Sequence, residues 1–313
     1  MNVEPVVFEV APAVTAIDTF FGGRERYTAA YLLSGSQPAV VETGPTRSAG
    51  HVISGLDALG VGPDDLAHIV VTHIHLDHAG GVGALCRRYR RATVWVHERG
   101  ARHLADPQRL VASAARIYGD DGLARLFGEV IPVPAQRIQS LGDGDRIPLG
   151  DRSLQVAATP GHAQHHVALV DSATGAVFTG DALGIHPPDQ AVLRPATPPP
   201  DYDLELALES IERIRRLAGE LVLFSHFGPV REVDRICDLA AKRFRDWTDA
   251  VRTTMERTED LDEIVAVLRE VARADAATGA EAELDLDRLE TLSSVRMNAM
   301  GIRRYWQLRA QES

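Results

Sequence analysis

Along the first hundred residues, short apolar runs alternate with stretches whose apolar positions recur at helical spacing. Residues 27–33 and 39–42 read as strands separated by the turn signal Ser34-Gly35-Ser36, and Thr43-Gly44-Pro45 breaks the second run. A helix is predicted over 48–59, closed by Gly60. The compact run at 67–72 (AHIVVT) is of buried-strand type and ends directly at His73. A helix over 81–89 and a strand over 93–97 follow. Strand and helix alternating in this way predict layered α/β architecture.

Residues 98–128 change character. They are rich in alanine and arginine, with Leu104, Leu110, Ala114 and Ile117 at helical spacing, and read as inserted helices. Strands return at 146–149, 153–158, 166–170 and 176–179. Segment 184–201 carries Pro187, Pro188, Pro195 and the run Pro198-Pro199-Pro200, and reads as a loop long enough to be functional. A helix over 202–218 and a short buried strand over 221–224 come next. From 233 the pattern is helical to the end, with an acidic break at 279–287 and a last helix over 289–308. The expected organisation is a catalytic domain over 1–232 and a helical extension over 233–313.

Candidate chemistry collects where strands end. Within the stretch from Thr72 to Gly81, His73, His75, Asp77 and His78 offer four metal-ligand side chains in six residues. They follow a buried strand, at the carboxyl end where α/β proteins bind ligands. His73 and His75, two apart in an extended segment, point to one side; Asp77 and His78, starting the next turn, point to a neighbouring spot. One segment thus offers ligands to two adjacent cations. Imidazole and carboxylate donors without thiolate suit zinc, iron or manganese. Three further fragments each place a ligand-type residue just beyond a strand, beside a glycine that permits close backbone approach. They are Thr159-Pro160-Gly161-His162, Thr179-Gly180-Asp181 and Ser225-His226-Phe227-Gly228-Pro229.

In this order, His73, His75, Asp77, His78, His162, Asp181 and His226 resemble the metallo-β-lactamase superfamily of hydrolases, over roughly residues 5–232. The resemblance implies a four-layer αβ/βα sandwich with two divalent metals at one edge, zinc first and iron or manganese as alternatives. It implies that His73, His75 and His162 hold one metal, that Asp77, His78 and His226 hold the second, and that Asp181 bridges them. A metal-bridging hydroxide would then attack the carbonyl of a small ester, thioester or lactone, with Asp77 both ligand and proton shuttle. Asp181 stands where zinc β-lactamases of the common subclass carry a cysteine, so the glyoxalase II and lactonase branches are nearer and antibiotic hydrolysis is not expected.

The chain also departs from the pattern. Members usually have Asp-Thr-Gly where it has Glu42-Thr43-Gly44, so Glu42 would take the acid's place in orienting a ligand histidine. His166 matches the second histidine of a Thr-Pro-Gly-His-x-x-x-His pattern and is expected to orient the site or touch substrate. His186, in the proline-rich loop, is a candidate pocket residue. His165 is expected to face solvent, and His51, His68, His97 and His103 have no ligand-like context. The insert 98–128 and the loop 184–201 are where the resemblance puts substrate choice. The tail is similar in kind to the helical C-terminal domain of glyoxalase II, and is equally a candidate homodimer surface.

Composition narrows the partners. Cys86 and Cys237 are too few for a disulfide framework or a cysteine-rich zinc site, and read as small core residues. The formal charge of -11, from 33 basic and 44 acidic residues, points away from nucleic acid. There is no run of ~18 apolar residues, so no membrane span is expected. The N-terminal stretch lacks a basic region before an apolar run, so no secretory signal is expected. These features predict a cytoplasmic protein with a small-molecule substrate. Three alternatives stay open: a phosphodiesterase or nuclease on the same scaffold, an iron-dependent oxidoreductase, and a non-catalytic effector whose helical tail binds a partner.

Overall fold

The computed structural model describes residues 4–187, 192–277 and 285–312. Its first sheet has seven strands in chain order: β1 (Val7–Ala11), β2 (Val14–Asp18), β3 (Ala29–Leu33), β4 (Ala39–Val41), β5 (His68–Val70), β6 (Thr93–His97) and β7 (Ile138–Leu141). β1 to β4 form an antiparallel meander, and β4 to β7 run parallel. Parallel neighbours need crossover connections. Here these are α1 (Ala49–Ala58), then α2 (Leu76–Ala79) with α3 (Val82–Arg88), then α4 (Glu98–Ala105) with α5 (Gln108–Leu126). The second sheet contains β8 (Arg146–Pro148), β9 (Ser153–Ala158), β10 (Val167–Asp171), β11 (Val177–Gly180), β12 (Val222–Phe224) and β13 (Gly228–Val230), in the order β13-β12-β11-β10-β9-β8. β11 and β12 pair in parallel, joined through α6 (Leu204–Leu217).

Period-two alternation sends each strand's apolar side chains to both faces of its sheet. Tyr31, Val41 and Val70 of the first sheet meet Val156, Leu169 and Phe178 of the second in a buried layer between them. On the outer face of the first sheet, Leu32, Val40 and Ile69 pack with Val52, Leu56 and Leu85 of α1 and α3. On the outer face of the second, Ala168, Val177 and Val222 pack with Ile211 and Ile214 of α6 and with Ile236 and Phe244 of α7 (Val233–Met255). The result is the four-layer αβ/βα sandwich. Helices α8 (Leu261–Ala277), α9 (Leu286–Leu292) and α10 (Val295–Glu312) follow. Ile264 and Leu268 of α8 and Ala299 and Ile302 of α10 belong to the same apolar cluster as α6 and α7.

The two sheets are stitched together at one end. The Tyr31 hydroxyl donates to the Phe224 carbonyl (2.5 Å). Backbone N–H groups of Ala29 and Val167 donate to the carbonyls of Ser225 (2.9 Å) and Thr72 (2.8 Å). Thr72 and Ser225 directly precede His73 and His226, so this seam fixes the two sheets' candidate ligands relative to each other.

The 98–128 segment is helical, as its spacing predicts. α5 is kinked at Gly119, whose φ of 69° interrupts the helix. Cys86 and Cys237 are free and buried. Four regions differ from the sequence reading. β1, β2 and β7 are additional strands, and so is β13, whose Pro229 is tolerated because β13 pairs on one side only. The single helix expected over 289–308 is two helices, broken at Ser293-Ser294. There the Ser293 carbonyl accepts from Arg194 Nη1 (3.1 Å) and the Ser293 hydroxyl donates to the Pro195 carbonyl (3.0 Å), which turns the chain towards the proline-rich loop. Pro188 and most of the predicted acidic break lie outside the described residues. No helix among the described residues is long and apolar enough to cross a membrane.

A buried ion pair ties the second sheet to the first sheet's edge. Asp171 at the end of β10 accepts from Arg152 Nε (2.8 Å) and Nη2, and Arg152 Nη1 reaches the Ala13 carbonyl (3.2 Å). Burial raises the Asp171 carboxyl, but hydrogen bonds from Arg152 and Thr174 outweigh it and hold the group below the usual carboxylate range. The stabilisation is therefore present above that range and lost as acid titrates through the lowered pKa. Asp171→Ala strands a buried guanidinium, and a loss of about 3–5 kcal/mol in urea unfolding is expected.

Candidate metal centre

Every one of the seven candidate ligands leaves the end of a strand at this seam. His73, His75, Asp77 and His78 follow β5, His162 follows β9, Asp181 follows β11 and His226 follows β12. His73, His78, His162, Asp181 and His226 are buried, and His75 and Asp77 half-buried. The structure brings all seven together. Three groups have ligand atoms within 4.8 Å of one another: His73 with His75 and His162, His73 with His78 and Asp181, and Asp77 with His78 and His226. Asp181 spans the cluster. Its Oδ2 lies 3.5 Å from His162 Nε2 and 4.0 Å from His73 Nε2, while its Oδ1 lies 3.3 Å from both His78 Nε2 and His226 Nε2. Asp77 Oδ2 is 3.4 Å from His226 Nε2 and 3.6 Å from His78 Nε2.

The surrounding hydrogen bonds turn the bare nitrogens inward. The Thr72 hydroxyl donates to Glu42 Oε1 (2.5 Å), so its oxygen accepts from His73 Nδ1 (3.0 Å) and leaves His73 Nε2 facing the cluster. His162 Nδ1 donates to the Ala196 carbonyl (3.0 Å) and its Nε2 faces His75 Nδ1 at 2.9 Å. Glu42 Oε2 lies 3.6 Å from His78 Nδ1. One carboxylate thus approaches His78 directly and His73 through the Thr72 hydroxyl, the orienting role expected of it. Glu42 itself holds a left-handed backbone (φ 67°), pinned by its N–H to the Val70 carbonyl (2.9 Å).

His166 is not among these groups. Its Nε2 accepts from the Asp181 N–H (3.0 Å), which puts its own proton on Nδ1, facing the Thr159 hydroxyl (2.8 Å). It therefore orients the Asp181 backbone. Gly180 makes room for this contact: a Cβ there would stand 2.4 Å from His166 Nε2, at a φ of +50°. His186 lies apart from the cluster. Its Nδ1 contacts the Val192 carbonyl (2.8 Å) and its ring packs near Phe224.

The site's polar atoms call for a cation. His73 Nε2, His78 Nε2, His226 Nε2 and Asp181 Oδ1 are buried with no hydrogen-bond partner. Unpaired buried polar atoms are costly, and a metal ion satisfies several lone pairs at once. Burial first, and then neighbouring imidazoles, push His73 and His75 well below the usual histidine range, which keeps them neutral and able to ligate. Burial raises Asp77, but His78 and His226 outweigh it and bring the carboxyl to about 2. Burial lowers His78, but Asp181, Asp77 and Glu42 outweigh it and raise it. Carboxylates that draw a proton to this spot draw a metal ion equally well. The nitrogen and oxygen donor set fits zinc, iron or manganese.

A cavity of about 280 Å³ opens above His75, Asp77, His162 and Asp181. Its walls come from α5, the proline-rich loop and helices α9 and α10. His165, expected to face solvent, lines it, and so does His103, which belongs to none of the candidate ligand groups. The His165 ring is 5.7 Å from that of His75, and burial drives its pKa to about 3. Its signal was local: it stands three residues after His162. His103 carried no such signal, because only the fold of α4 brings it to the site.

The helical tail anchors the loop that orients His162. Asn298 Oδ1 accepts from the Thr197 N–H (2.7 Å) and hydroxyl (2.7 Å), while its Nδ2 donates to Ser293 Oγ (2.8 Å) and the Ser294 carbonyl (3.1 Å). Asn298 is fully buried. Gly301 lets α10 lie directly on this loop, since a Cβ there would meet the Thr197 carbonyl at 1.9 Å.

Two sheets between helical layers, with histidines and carboxylates that could hold metal ions converging at the strand ends, define the class as an α/β sandwich. The chain belongs to the metallo-beta-lactamase superfamily, whose domain matches residues 23–226. It is 32% identical over 172 residues to a metallo-beta-lactamase fold-containing protein of Sulfurisphaera tokodaii, covering 53% of this chain and 62% of that protein. It is 32% identical over 146 residues to a hydroxyacylglutathione hydrolase of Bradyrhizobium sp. (45% and 44%). It is 32% identical over 121 residues to a human acyl-coenzyme A thioesterase (36% and 40%). The matches thus span between 40% and 62% of these relatives' own lengths. The fold is similar to the crystal structure of an archaeal superfamily member from Sulfolobus tokodaii, with a TM-score of 0.67 at 21% identity over 94% of this chain and 99% of that one. A family protein from Thermus thermophilus gives 0.64 at 21% identity, over 98% and 93%.

Glu42→Gln removes the charge that lies beside His78 and orients His73 through Thr72, while keeping the side chain's size. Metal affinity is expected to fall about 10–100-fold in a chelator competition titration. An unchanged affinity contradicts the orienting role.

Proposed function

We propose that this chain is a dinuclear metal-dependent hydrolase, with zinc as the expected metal, acting on a small ester, thioester or lactone. The observation that carries the reading is the Asp181 carboxylate, with one oxygen towards His73 and His162 and the other towards His78 and His226. Divalent cations bound here supply a water whose pKa falls towards ~7 and a Lewis acid for the scissile carbonyl. His73, His75 and His162 would hold one cation, Asp77, His78 and His226 the other, and Asp181 would be shared. Asp77 lines the cavity and, unlike the shared Asp181, is half-buried, so we assign its carboxylate to take up and return the reaction's proton. Glu42 and Thr72 hold His73 and His78 in orientation, and His166 holds the Asp181 backbone. The hydroxyacylglutathione hydrolase and acyl-coenzyme A thioesterase names among the relatives support acyl hydrolysis.

The test is metal analysis together with thioester, ester and lactone hydrolysis by the wild type, His75→Ala and Asp181→Ala. About two metal equivalents per chain are expected in the wild type. Each variant is expected to lose at least ~100-fold in hydrolytic rate, more than an orienting residue costs. Unchanged rates in the variants contradict the proposal, and turnover of bis(p-nitrophenyl) phosphate alone points instead to a phosphodiesterase.

A further inference from the structure

We propose that the cavity over the metal centre is an acyl-chain pocket, so that the substrate carries a straight aliphatic chain of medium length on its scissile carbonyl. The assignment of the chain to the acyl side rests on the hydrolase reading above. Esters, thioesters and lactones share only the acyl group, whereas their leaving groups differ in kind.

The cavity divides by chemistry. Its floor is polar: His75, Asp77, His162 and Asp181. Its walls are mostly apolar, built from Phe21, Ile74, Leu110, Ile117, Phe127 and Leu292. Phe21 and Phe127 pack with ring centroids 5.7 Å apart, and Tyr118 meets Phe127 edge-on at 4.9 Å. Phe21, Phe127 and Leu292 belong to one apolar cluster with Leu76, which lies between His75 and Asp77 in the chain. The apolar wall therefore runs down to the ligands themselves. Beyond the floor, Arg109 and Asp201 are the formal charges among the lining residues.

Size and exposure favour a single chain as the occupant. A volume of about 280 Å³ lies at the small end of ligand pockets, a size that a single medium-length chain fills. Ile117 is 36% exposed, one of three large apolar side chains left so among the described residues, and it stands in the wall. An apolar side chain left open at a pocket is stabilised when a ligand covers it. The opposite wall comes from α10, where Met297 Sδ lies 3.9 Å from the Tyr118 hydroxyl. α5 and α10 thus both contribute to the wall, which includes Ile117 as well as Asp77 on the polar floor.

The test titrates the metal-loaded protein with straight-chain carboxylates from acetate to decanoate by calorimetry. Affinity is expected to rise about fourfold per methylene until the pocket is full. Ile117→Asp is expected to flatten the series with metal content and thermal midpoint unchanged. Equal affinity along the series, or an unchanged slope in Ile117→Asp, overturns the proposal. A parallel series of p-nitrophenyl esters is expected to show kcat/KM rising at least ~10-fold from acetate to octanoate. Acetate turned over as well as octanoate overturns the pocket and leaves the hydrolase reading intact. Chain-length-dependent binding with no hydrolysis of any ester, thioester or lactone supports the pocket and overturns the hydrolase reading.

Discussion

Imidazole nitrogens and carboxylate oxygens converge at the strand ends with too few protons between them. Asp181 Oδ1 faces two imidazoles at 3.3 Å, and His162 Nε2 faces His75 Nδ1 at 2.9 Å. The outer nitrogens of His73 and His162 are already committed to Thr72 and Ala196, which fixes their inner nitrogens as acceptors. His73 Nε2, His78 Nε2, His226 Nε2 and Asp181 Oδ1 are buried without a hydrogen-bond partner, and each carries a desolvation cost. Positive charge at this spot removes that penalty. Much of the architecture can be understood as holding that convergence in place.

The two sheets contribute different ligands, so their mutual position matters as much as either sheet's internal pairing. Tyr31, Ala29 and Val167 bond across the seam within a residue or two of His73 and His226. Gly180 brings the Asp181 turn against the His166 ring, where a side chain would not fit. The tail enters the same logic. α10 holds Thr197 through Asn298, and the neighbouring Ala196 carbonyl sets the proton of His162. A ligand on β9's loop is thus oriented by residues more than a hundred positions later. The same helices close the cavity, so orientation of the metal centre and shape of the pocket share one support.

The legible part of this site was the local part. His73, His75, Asp77 and His78 sit in one short segment, and the strand before them is a plain apolar run, so spacing alone sufficed. His162, Asp181 and His226 each follow a strand beside a glycine, a weak signal alone; their order behind that segment, and the superfamily it resembles, made them legible. What failed depended on long-range packing. His165, expected to face solvent, lines the cavity beside His103, which α4 brings there from far along the chain. β13 was hidden by Pro229, which is acceptable only at an edge. The break at Ser293-Ser294 comes from bonds to Arg194 and Pro195, partners that no local pattern announces. The apolar wall of the cavity likewise joins residues from 21 to 297, scattered over nearly the whole chain.

The central claim is that cations occupy the space between these seven side chains. The most direct measurement is a crystal structure of the metal-loaded protein with anomalous data collected at the zinc edge. Two anomalous peaks are predicted about 3.5–4 Å apart on either side of the Asp181 carboxylate, one near His73, His75 and His162 and the other near Asp77, His78 and His226. No peak at this cluster in zinc-saturated crystals, with the seven side chains still gathered as described, would contradict it.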